Sequence, residues 1–431
     1  MNTTNYQVEI RAGFTTFFTA MYIIIVNPAI MAPAGFGYSA SLTATVLVSA
    51  FSSIAMGLYA KNPILVAPGM GLNAFIAIML MNNPDIGPAI ALGAIFWSGI
   101  VFLLLSIFNI RSYILQAIPV DIRHATAVGI GFLISLIGFV NAGFLIKGEP
   151  LSAINYSNPI VITFLFSLLI AIILVIKKVK GAFIISIIIG TLIAWPIGRW
   201  YGDASAVNFG TAQLVAWKGF ISMPDFSLLF TMDLMGALKW SVFPMAFGIL
   251  FADMFDSIGT FVGVAEACDL KDKDGTPRNM KKSLIVDSIA TLFSGIAGTA
   301  PGTAYIESAA GIQEGGKTGL TAIIAGLLFL PFMFLSPLLS IVPAIATAPV
   351  LVIVGVFMFK PISTIEWNKL ENAFPAFLTL AIIPFTYSIT QGIIWGLLSY
   401  TLIQIITGKI KDIPLTLWII DLFIILLLFI K

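Results

Sequence analysis

The chain has 431 residues, of which 59% are hydrophobic and 10% charged, with a net charge of +2. Soluble domains carry about a quarter charged residues, so this stock does not build a water-facing surface, and the near-zero net charge gives no reason to expect a nucleic-acid partner. Cys268 is the single cysteine, which excludes an intrachain disulfide and argues against a cysteine metal cluster.

The apolar residues fall in long runs. Ile160–Ile176, Phe183–Trp195 and Leu320–Leu335 contain no charge. A spanning helix needs roughly 20 mainly apolar residues, and about fourteen such stretches are present, the fold class being an all-α polytopic membrane protein. Met1–Arg11 is polar and lacks the basic-then-apolar plan of a cleaved signal, so the first apolar stretch, Phe14–Met31, is expected to remain as a span. Spans are predicted near 14–31, 42–59, 63–81, 88–108, 123–140, 159–176, 182–198, 236–260, 283–298, 302–315, 319–337, 341–358, 372–389 and 391–407, with a further apolar stretch at Leu415–Ile430.

Charge orders these spans. With a cytoplasmic N-terminus, the inner segments hold Arg11, Lys61, Arg111, Arg123, Lys177, Lys178, Lys180, Lys271, Lys273, Arg278, Lys281, Lys282, Lys317, Lys360, Lys369, Lys409 and Lys411, against Lys147, Arg199 and Lys218 outside. Such lysine and arginine bias sets orientation. The expectation is a multi-pass protein of the cell membrane. The linker Tyr201–Asp233 divides the chain near its middle, and landmarks recur across it. Ala67-Pro68-Gly69 in the third span matches Ala300-Pro301-Gly302 at the tenth, and Ile118-Pro119 before the fifth matches Val342-Pro343 at the twelfth. An offset of seven spans inverts the second copy, and inverted repeats with interrupted helices in matching places point to a transporter site.

Both interrupted spans, Ala67–Asn73 and Thr299–Ser308, put proline and glycine where helix would run, freeing backbone groups at membrane depth. These are tolerated only where they line a cavity or pack on protein. Asp253 and Asp256 share one face of the eighth span, Glu307 follows the tenth-span break, and Asp287 lies in the ninth span near Lys281-Lys282. Ionisable residues within spans are costly and usually face a cavity. Carboxylates with free amides suit an uncharged heterocycle such as a purine base. Asp253 and Glu307 would accept its N–H groups, Asn73 and the amides at the breaks, Gly71 among them, would serve its acceptors, and Phe251, Phe255, Phe75 or Tyr305 would stack on its face. Asp256 and Glu307 are the candidates to carry a proton. No catalytic residue, metal site or cofactor is indicated, and no hydrolase motif is present.

Gly311–Thr318 spells the phosphate-loop pattern but lies in a turn between spans, where that pattern has no strand and helix to serve. It reads as a hairpin carrying Lys317. His124, the only histidine, opens the fifth span and reads as an interfacial or packing residue.

At Ala67–Phe75, Phe251–Thr260, Thr303–Ile312 and the hairpin Gly316–Ala322 the chain resembles the nucleobase–cation symporter family, in its AzgA-type purine permease branch, almost from end to end. The resemblance implies fourteen spans in two inverted repeats of seven, the uracil-permease type of fold. The core would comprise residues 14–110 and 236–338, and the gate 118–200 and 340–408, with 413–431 as an apolar C-terminal segment. It implies substrate contacts at Asn73, Asp253 and Glu307, a transport role for Asp256, purine bases (hypoxanthine, guanine, adenine) as substrate, proton symport by alternating access, and, by fold analogy, a homodimer in the lipid bilayer. An anion carrier of the same fold and a channel are the rival readings.

Overall fold

The computed structural model describes residues 5–428 except 84, 109–117, 147–151, 154–157, 201–214, 216, 269 and 273–276. Arg111, Lys147, Lys273 and most of the first half of the Tyr201–Asp233 linker therefore lie outside the described residues. The chain opens with α1 (Tyr6–Ala20) and α2 (Ile23–Met31), one span broken at Met21-Tyr22. Then follow α3 (Tyr38–Ala55), β1 (Val66–Pro68), α4 (Met70–Asn82), α5 (Pro88–Ile107) and α6 (Val120–Asn141). A short hairpin of β2 (Leu145–Ile146) and β3 (Ser152–Ala153) precedes α7 (Pro159–Ile176) and α8 (Ala182–Trp200). The second half runs through α9 (Phe243–Cys268), α10 (Met280–Ala297), β4 (Gly302–Ala304), α11 (Ser308–Gln313) and α12 (Gly319–Phe329). It ends with α13 (Ser336–Leu339), α14 (Ala344–Met358), α15 (Leu370–Thr386), α16 (Ile389–Ile406) and α17 (Leu415–Leu428).

Among the described residues nine helical segments are long and apolar enough to cross a membrane. The shorter apolar helices Met70–Asn82, Ala182–Ile197 and Leu370–Thr386, with α10 and the β4–α11 segment, complete the fourteen expected positions. Boundaries move for identifiable reasons. The first span begins at Tyr6 rather than 14, because Asn5 accepts a hydrogen bond from the Val8 amide and caps the helix outside the apolar run. The eighth starts at Phe243 and runs to Cys268, since 236–242 is taken up by two 3₁₀ turns ahead of Pro244. The tenth position is extended at 302–304 and helical only over Ser308–Gln313. The tail forms α17, whose 14 described residues rise about 21 Å. It is tied to α16 where Thr401 donates to Asp421 at 2.6 Å.

The helices pack in two groups. In one, α5 lies along α10, α12 along α1 and α3, and α9 against α5. In the other, α6 packs on α14 and α15, α15 on α16, and α7 on α8. The groups meet more lightly, where α4 and α9 touch α6 and α9 touches α16. Close approach within the first group needs absent side chains. A Cβ at Gly99 would meet the Leu292 backbone nitrogen at 2.5 Å, and one at Gly295 the Leu92 carbonyl oxygen at 2.8 Å. Small residues serve membrane helices in this way because van der Waals packing replaces the missing hydrophobic force. Outward faces such as Phe166 and Leu169 of α7 and Leu402 of α16 stay apolar and exposed, as a lipid boundary requires.

At the centre, β1 pairs antiparallel with β4, matching Val66 with Ala304, Ala67 with Thr303 and Pro68 with Gly302. The Gly69 amide donates to Pro301 at 2.8 Å and the Tyr305 amide to Leu65 at 2.9 Å. Each break thus satisfies backbone groups that the other exposes, a demand that an apolar surrounding enforces. The antiparallel sense follows from the inverted relation of the two halves.

Candidate functional site

The site grows outward from this ribbon. Tyr305 sends its hydroxyl to the Pro68 carbonyl at 2.5 Å, so its polar end fastens the two breaks together while its ring stays buried. α9 runs beside β4 and brings both its aspartates to it. Asp253 is fully buried and accepts from the Thr291 hydroxyl, which lies 3.5 Å from the Gly302 carbonyl. One turn on, half-buried Asp256 accepts from the Thr303 hydroxyl at 3.1 Å. Glu307, also half-buried, enters α11 immediately after the ribbon and accepts from the Tyr22 hydroxyl at 2.5 Å. The three carboxylates therefore gather around β4 and the turn that follows it, Asp253 through Thr291, Asp256 through Thr303 and Glu307 from the turn itself.

On the opposite break, Asn73 sits in the first turn of α4, fully buried, and donates to Asn27 at 2.9 Å. Asn27 in turn donates to Thr45 and Thr299, each at 2.7 Å. The network fixes the Asn73 amide and leaves its Oδ1 with no hydrogen-bond partner among the described residues. A buried acceptor left open in this way costs free energy unless another donor arrives. Phe247, Phe251 and Phe255 form a ladder on α9, with centroids 4.4 and 5.9 Å apart, and Phe75 is buried against the same helix at Gly248. The side-chain position of Gly71 faces α6. A Cβ there would meet Ile130 Cγ2 at 2.5 Å, so Gly71 is where α4 presses on α6.

Space opens beside the half-buried acids. A Cβ at Gly259 would meet nothing within 4 Å, and one at Gly263 only Ile306 Cδ1 at 3.9 Å. Val262 and Ile306 are exposed here. The α9 surface beside the acids is thus uncovered toward its Cys268 end, the end at which the chain begins. An ionised carboxylate offers several acceptor positions, and the partners of Asp256 and Glu307 here are hydroxyls, which leaves room for N–H donors from a neutral solute.

Sequence reasoning brought together Asn73, Asp253, Asp256, Tyr305 and Glu307. It missed Tyr22, Asn27, Thr291 and Thr303, which hold them. Asn27-Pro28 inside an apolar run was a readable signal, being a polar residue beside a helix breaker. Tyr22 and the two threonines carry none, since such residues are common in membrane helices. Asp287 is fully buried within α10. His124 lies at the α6 start, its Nδ1 2.8 Å from the Thr364 hydroxyl and away from the ribbon. The phosphate-loop look-alike already holds an anion of its own. The amides of Lys317 and Thr318 donate to Glu9 Oε1 at 3.0 and 3.1 Å, and Thr321 to Glu9 Oε2 at 2.5 Å. Next to it, Glu314 pairs with Lys180 at 2.6 Å and Arg11 at 3.4 Å, joining the two helix groups at their rim.

The same architecture appears in a solved structure, the transmembrane domain of a cyanobacterium bicarbonate transporter, BicA. It superposes with a TM-score of 0.68 at 17% identity over 92% of this chain and 98% of that one. Among curated proteins, adenine permease AdeP of Escherichia coli is 38% identical over 95% of this chain and 89% of its own length. Guanine/hypoxanthine permease PbuO of Bacillus subtilis is likewise 38% identical, over 95% and 94%. Residues 7–394 match the Xan_ur_permease family, described as the Permease family. With its broken helices paired at the centre of a polytopic bundle, the chain belongs to this permease family and is a membrane transporter rather than an enzyme.

Proposed function

We propose that the protein imports purine nucleobases such as hypoxanthine, guanine or adenine across the cell membrane, coupled to protons, with its N-terminus in the cytoplasm. The observation that supports this reading is the gathering of Asp253, Asp256 and Glu307 around β4, with an unpartnered buried amide acceptor, Asn73 Oδ1, beside the paired β1. A base would donate N–H groups to Glu307, Asp253 and Asn73 and stack on the α9 aromatics. Asp256 and Glu307, half-buried beside the uncovered surface of α9, would take up and release the coupling proton. The helix group built on α1–α5 and α9–α12 would act as the core and the group of α6–α8 and α14–α16 as the gate. The light contact between them would permit one to move against the other, as alternating access requires. A dimer through the gate rests on fold analogy alone. An inorganic anion is a poor fit for three acids at one segment. The test is uptake of labelled hypoxanthine in cells lacking their own purine carriers. Uptake should saturate, collapse with a protonophore, compete with purines but not sulfate, and disappear in Glu307→Ala at unchanged surface expression. Normal uptake by that variant removes Glu307 from the site, and competition by sulfate replaces the purine reading.

A further inference from the structure

A cavity lies at the other end of α9 from the acids, where that helix begins. Its volume is about 300 Å³, and Met79, Asn82, Asn83, Pro244, Tyr387 and Gln391 lie in its wall. Ligand cavities begin at roughly this size, which suits one small solute. The cavity sits where α4 ends, α9 begins and the α15–α16 turn crosses, that is, on the seam between the two helix groups. Among the described residues, none that lines it is charged.

Its floor is thin and specific. Thr390 donates to the Pro244 carbonyl at 3.2 Å, joining α16 to α9. Directly beneath, Gly248 lets both neighbours touch the α9 backbone, because a Cβ there would meet Thr390 Oγ1 at 2.0 Å and Phe75 Cζ at 2.8 Å. Phe75 and Asn73 lie in the first turns of α4, so the ring packed at Gly248 and the open Asn73 acceptor are carried by the same stretch of helix. Trp395 donates to Gln391 Oε1 at 3.2 Å, which occupies the acceptor and leaves the amide nitrogen to be offered. Asn83 gives one amide hydrogen to the Met79 carbonyl at 2.8 Å and keeps its second N–H and its oxygen. Asn82 is exposed at the rim.

We propose that this cavity is a second binding site, a vestibule in which a neutral heterocyclic base docks before passing the Phe75–Gly248–Thr390 plug. Carboxamides present a donor and an acceptor side by side and match the edge of a nucleobase. The Tyr387 ring and the apolar walls of Met79 and Pro244 supply a face for it. An uncharged polar lining takes a neutral solute and gives no grip on an anion. The proposal rests on the purine reading above, and its test separates the two.

The probe is a single cysteine at the rim, Asn82→Cys, in a Cys268→Ser background that removes the native thiol. Purified protein is treated with a maleimide, with and without hypoxanthine or adenine. A base in the vestibule should slow labelling several-fold in a saturable manner. It should do so equally when Asp253→Ala has destroyed the central site. Replacing Gln391 by Ala should shift half-protection to several-fold higher base concentration. Labelling unaffected by bases, or protection that vanishes with Asp253→Ala, overturns the vestibule. If purines give no thermal shift in the parent chain itself, the central reading falls first. Parent binding without rim protection rejects the vestibule alone.

Discussion

Replacing Tyr22 by Phe isolates a single bond in the candidate site. The Tyr22 hydroxyl donates to Glu307 at 2.5 Å and is buried, while its ring packs edge-on against Phe183 with centroids 5.0 Å apart. Phenylalanine keeps that ring contact and removes only the donor. Hydrogen bonds to charged groups contribute about 1.5–3 kcal/mol, and every 1.4 kcal/mol is tenfold in affinity. Without this donor the Glu307 carboxylate is no longer aimed at the ribbon, so base affinity should fall about ten- to a hundredfold. The assay is titration calorimetry of purified Tyr22→Phe and parent protein with hypoxanthine, alongside thermal unfolding to show that the fold is intact. Affinity within twofold of the parent, at equal stability, would refute the idea that Tyr22 positions Glu307.

Two further outcomes follow from the geometry. Gly248→Ala drives a methyl into Thr390 Oγ1 and Phe75, an overpacking of the kind that costs about 1–3 kcal/mol. It should lower thermal stability and raise rim labelling of the Asn82→Cys protein, and adding Thr390→Ala should restore part of both. Equal behaviour of single and double variants would dismiss the plug. The Lys180 ammonium beside Glu314 holds that carboxyl below its usual range. A depressed native value means the tether contributes fully above the ordinary carboxylate range and is lost as pH falls through the native value. Glu314→Gln should therefore flatten the acid limb of the thermal-stability profile, and an unchanged limb would assign that pH dependence elsewhere.

Much of the fold was legible because a bilayer restricts the options. Runs of apolar residues, the Pro-Gly breaks and the recurrence of Ala-Pro-Gly across the linker locate both ribbon strands, β1 and β4, within a few residues. Hydropathy marks the apolar run and not the helix, which is why α1 starts eight residues before its predicted span and why the tenth position opens with an extended stretch and keeps only a short helix. Asp253, Asp256 and Glu307 stand out because a charge within an apolar run is costly. Their supports do not. Tyr22 works through one hydroxyl at a helix break that no proline or glycine announces, and Thr291 and Thr303 act through contacts 38 and 47 residues away in sequence. Gly71 was read for its backbone amide in the break; that its missing side chain also makes room for Ile130 was not legible, because the contact is with a helix distant in sequence.

The pairing of Val66–Pro68 with Gly302–Ala304 has a consequence for biogenesis. Neither half of the chain is complete by itself. A nascent first half in the bilayer holds an unclosed strand edge until the second half, more than two hundred residues later, supplies its mate. Fragments severed in the Tyr201–Asp233 linker should be unstable when made singly and recover when produced together.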